Sequence, residues 1–90
     1  MSSSDISQIH LGAMLSQLGF REVSGAPDNQ KIFAHKATDT IVVLSWLHPE
    51  KPRPGIVAGV RRLLDEKGVI DRDDFDALAR QIKSNHAQPV

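Results

Sequence analysis

The chain has 90 residues, no cysteine, and a net charge of zero with its histidines neutral. That length fits one domain, and without cysteine a disulfide framework, a thiolate metal site and a thiol nucleophile are all excluded. The neutral balance excludes RNA binding through a globally basic surface, so any phosphate recognition has to rest on a local patch.

Hydrophobic residues make up 40% of the chain, enough for one core, but aromatics only 4%, so aliphatic side chains must fill it. A domain of this size buries roughly 60–65% of its unfolded surface, and its stability should be modest. The opening Met1-Ser2-Ser3-Ser4-Asp5 lacks the basic and apolar regions of a signal peptide. No apolar run approaches the ~20 residues that span a bilayer. These features, with the absence of cysteine, lead to the expectation of a soluble, cytoplasmic protein with no membrane partner.

In chain order, residues 5–18 read as a helix. Ser4 or Asp5 is placed to cap it, and Leu11, Met14, Leu15 and Leu18 form its apolar stripe. Gly19 stands where a left-handed C-terminal residue is wanted. Phe20–Ser24 reads as a short strand, Gly25-Ala26-Pro27-Asp28-Asn29 as a turn, and Lys31–His35 as a second strand. After a turn at Thr38-Asp39, Thr40–Trp46 reads as the strongest strand. Its run Ile41-Val42-Val43-Leu44 is apolar on both faces, which predicts the best-covered strand of the sheet.

Pro49, Pro52 and Pro54 prevent regular structure between His48 and Arg53, and Pro54 suits the first turn of a new helix. That helix runs to Lys67 with Ile56, Val57, Val60, Leu63 and Leu64 on its buried side, and Gly68 ends it. Asp71 or Asp73 starts a last helix, reaching Lys83, with Phe75, Leu78, Ala79 and Ile82 on one face. This α-β-β-β-α-α order is an α+β domain over residues 5–83, with polar tails at 1–4 and 84–90. A three-stranded antiparallel sheet would bury one face under the first two helices. The extra last helix would close the core or offer a face to a partner.

Several short motifs occur in a telling order. Leu18-Gly19-Phe20 ends a helix, and a polar turn leads into Lys31-Ile32-Phe33-Ala34-His35. A valine-rich strand ends in Leu47-His48-Pro49. Lys51-Pro52-Arg53-Pro54-Gly55-Ile56 then opens a helix that finishes Gly68-Val69-Ile70. This arrangement, over roughly residues 9–70, resembles the HicA toxins of HicA/HicB toxin–antitoxin pairs. The resemblance implies a double-stranded-RNA-binding-like fold, metal-independent cleavage of mRNA, and silencing by a HicB antitoxin.

It also implies a catalytic histidine just before the Ile-Phe pair of the second strand. Gln30 stands at that position, and Asp28-Asn29 replace the family's Gly-Ser. Shifting the alignment by a residue or two does not help, since no histidine lies between Phe20 and Ile32. Cleavage through a 2′-hydroxyl needs a group that takes up and returns a proton near neutral pH, which histidine can do and glutamine cannot. The family chemistry is therefore expected to be lost, with no cofactor and no metal involved.

Other residues keep competing readings. His48 matches the family's second histidine and could contact RNA or act as a base, or could simply bond loop carbonyls. His35 is either a substitute proton carrier or an ordinary strand-end residue. Lys31, Lys51, Arg53, Arg61 and Arg62 are the candidate phosphate contacts, although Asp65 and Glu66 lie at helical spacing to offset the two arginines. Trp46 reads as core at the end of the sheet, or as a stacking platform. Asp71, Asp73, Asp74 and Asp76 lack the turn glycine and closing glutamate of a calcium loop and read as helix-start acids.

Three functions follow: a HicA-like domain that binds RNA or a protein partner without nuclease activity, a divergent ribonuclease toxin using His48 or His35, or a protein-interaction module with no nucleic-acid role. The partner could be RNA, a HicB-like antitoxin or another protein, and the chain a monomer or weak dimer.

Overall fold

The computed structural model describes residues 6–48, 50–51 and 54–87, the side chains of 85–87 excepted. The first helix, α1, spans Gln8–Gln17 and begins later than expected. Ser4 and Asp5 lie outside the described residues, and the cap is Ser7. The Ser7 hydroxyl accepts from the His10 backbone N–H at 3.3 Å, while the Ser7 N–H donates to His10 Nδ1 at 3.4 Å. This is a capping box with histidine in the place usually held by Glu or Gln. Ser7→Ala is expected to destabilise the fold by ~1 kcal/mol, read as a thermal midpoint lower by roughly 4–8 °C.

The C-terminus of α1 closes as the sequence suggests. Gly19 takes a φ of +95°, the Phe20 N–H donates to the Leu15 carbonyl at 2.9 Å, and the Gly19 N–H donates to Ser16. That pair of bonds is a Schellman motif, which needs a left-handed residue and hence glycine.

Strands β1 (Arg21–Val23), β2 (Gln30–His35) and β3 (Thr40–Ser45) form one antiparallel sheet in the order β1-β2-β3. Lys36–Thr38 is a single 3-10 turn, and Asp39, with φ +52°, reverses the chain into β3. The register pairs Phe33 with Val42, Lys31 with Leu44, and His35 with Thr40. These residues lie on the helix-covered face, where Phe33, Thr40, Val42 and Leu44 are buried. The opposite face carries Val23, Ile32 and Val43 in one row and Arg21, Ala34 and Ile41 in the next.

The expectation that β3 is the best-covered strand is overturned. β3 is an edge strand, and Ile41 and Val43 are 61% and 53% exposed. An apolar run with no alternation looks like burial on both faces, but only its Thr40, Val42 and Leu44 side is covered.

Helix α2 spans Pro54–Glu66 and buries Val57, Val60 and Leu64. It ends in a second Schellman motif, with Gly68 at φ +74° and the Val69 N–H donating to the Leu64 carbonyl. Helix α3 spans Arg72–Ala87, past the expected end at Lys83. Asp71 caps it, its carboxylate accepting from the Asp74 N–H at 2.8 Å.

Of the two roles that the sequence leaves open for the last helix, α3 takes that of closing the core. Phe75, Ala79 and Ile82 join Leu11, Met14, Leu15, Leu44 and Leu64 in one buried cluster, and α3 packs against both α1 and α2. Arg61 of α2 clamps Asp76 of α3 through two hydrogen bonds of 2.9 and 3.0 Å, and Arg72 reaches back to Asp65 at 3.0 Å.

Candidate functional site

Three candidate residues of the sequence gather at one end of the sheet. Gln30 begins β2 opposite Ser45, and the Trp46 N–H donates to the Asn29 carbonyl at 2.7 Å, which holds the β1–β2 turn against the exit from β3. His48 follows in that exit segment, exposed, its carbonyl accepting from the Lys51 N–H at 3.1 Å. Gln30 and Lys31 line an open polar depression of about 230 Å³ together with Glu22, Ser24 and Asp28. Two acids against one lysine do not favour phosphate there.

His35 is at the other end of β2, where the sheet does not bring it near His48. Its Nδ1 is 2.7 Å from the Thr38 hydroxyl, which is 2.7 Å from the Thr40 hydroxyl, and the latter donates to the Thr38 carbonyl at 3.2 Å. The ring lies against Phe20, with centroids 4.9 Å apart, and its Nε2 edge lies over Gly19. These contacts give His35 a packing role. Two histidines sharing a reacting group need to be within hydrogen-bond reach of it, and His35 and His48 are separated by the length of β2.

Most of the candidate cations are engaged. Lys31 donates to Glu22 at 3.1 Å and sits 5.1 Å over the Trp46 ring. Trp46 itself is half-buried beside Gly12 of α1, so core packing describes it better than an open platform. Arg62 pairs with Glu66 at 2.9 Å, the offset that the spacing suggested. Arg61 pairs with Asp76, a residue that helical spacing does not point to.

Hydrogen bonding to Asp76, and then its charge, holds the Arg61 guanidinium above its already high pKa despite partial desolvation. A raised pKa contributes stability below the unfolded value, and that contribution is lost only as pH rises through the folded one. For arginine this window lies above any working pH, so the clamp adds no pH dependence through Arg61. Lys51 is exposed, and Arg53 lies outside the described residues.

Among the described residues no group of three or more His, Cys, Asp or Glu side chains could hold a metal, and no helix is long and apolar enough to cross a membrane. The acidic start of α3 serves as its cap and as ion-pair partners.

The largest feature that the sequence did not point to is the open face of the sheet. Val23, Ile32, Ala34, Ile41 and Val43 form a contiguous apolar surface with no described helix above it, and Arg21 is the one charged residue among them. The signal was available in β3, whose odd-numbered residues are as apolar as its even ones. Compared with known proteins, the chain matches no family model, no curated protein and no solved structure.

Proposed function

We propose that this chain is a HicA-like cytoplasmic domain that binds a protein and does not cleave RNA. The observation that carries the reading is the apolar open face of the sheet. Apolar patches of this kind on small domains mark contact surfaces, and the cross-strand rows Val23–Ile32–Val43 and Ala34–Ile41 make this one continuous. A HicB-like antitoxin is the partner class that the resemblance would supply.

Loss of cleavage is supported by Gln30, which cannot carry a proton at neutral pH, and by the packed position of His35. RNA binding is the second reading. It rests on the exposed Lys51 and His48 in the segment after β3, and on Lys31 over the Trp46 ring.

The test is titration of labelled double-stranded RNA into the protein at low salt, alongside incubation with mRNA. The wild type is expected neither to retain nor to cleave RNA. A Lys51→Glu/Arg62→Glu variant serves as the control, since Arg61→Glu would break the tie between α2 and α3. Salt-dependent retention lost in that variant would replace protein binding by RNA binding. Cleavage abolished by His48→Ala would restore the toxin. In parallel, Val43→Lys is expected to reduce anilinonaphthalene sulfonate fluorescence, and an unchanged signal would count against the open face as a binding surface.

A further inference from the structure

We draw no further inference here: the strongest candidate, the uncharged edge of β3 with the apolar groove that Ile41 and Val43 form beside Ile56, Gly59 and Leu63 of α2, carries nothing because nothing in the structure shows what covers it.

Discussion

Phe75→Ala is expected to unfold much of the population at physiological temperature. Phe75 is fully buried on α3, inside the cluster that includes Leu11, Met14, Leu15 and Leu64. Truncating a buried phenylalanine costs about 3–5 kcal/mol, because the transfer energy is lost and a cavity remains. A single domain has ~5–15 kcal/mol in all, and one of this size belongs near the lower end. Thermal unfolding followed by circular dichroism should show a midpoint lower by well over 10 °C, at roughly 4–8 °C per kcal/mol, or no cooperative transition.

The companion is a chain ending at Ile70. If α3 completes the core, that chain shows no cooperative melt. A sharp transition in it would mean that α1, α2 and the sheet close a core unaided, and Phe75 would then be a contact of secondary weight.

The same helix shows how far pattern alone could go. Phe75, Leu78, Ala79 and Ile82 were legible as one apolar face, but a face does not say what covers it. The answer depends on α3 returning to α1, a long-range packing choice with no local signature. The glycines were legible down to their hydrogen bonds, because a left-handed residue at a helix end is a local demand that few other residues meet. Gly19 and Gly68 both follow it. The cap of α1 was read too early because Ser4, Asp5 and Ser7 are all acceptable N-caps. Choosing among them requires the position of Ile6, which is buried just ahead of the helix.

The candidate site was legible as residues and not as relations. Gln30 at the head of β2 could be read off, and so could the lack of any nearby histidine. That Arg61 reaches Asp76, across to another helix, could not. Net charge counts cations without saying which are already spoken for, and here three of the candidate contacts, Lys31, Arg61 and Arg62, each hold a carboxylate. β3 shows the opposite gap. Its composition predicted strand correctly and burial wrongly, because sequence periodicity reports how apolar a face is and not whether anything lies on it.

Gln8→Met is expected to raise stability. Gln8 is the first residue of α1 and fully buried, yet among the described residues neither its Oε1 nor its Nε2 has a hydrogen-bond partner. A buried polar group left unsatisfied costs ~1–3 kcal/mol, while an apolar side chain of the same shape removes that cost without opening a cavity. Methionine matches the length and unbranched form of glutamine, adapts to irregular space and is an equally good helix former.

The expected gain of ~1–2 kcal/mol appears as a midpoint higher by roughly 5–15 °C. Gln8→Ala separates the two contributions, since it removes the amide but leaves a void. It should fall below Gln8→Met by the cavity term. If Gln8→Met instead melts lower than wild type, the amide has a partner in the folded protein.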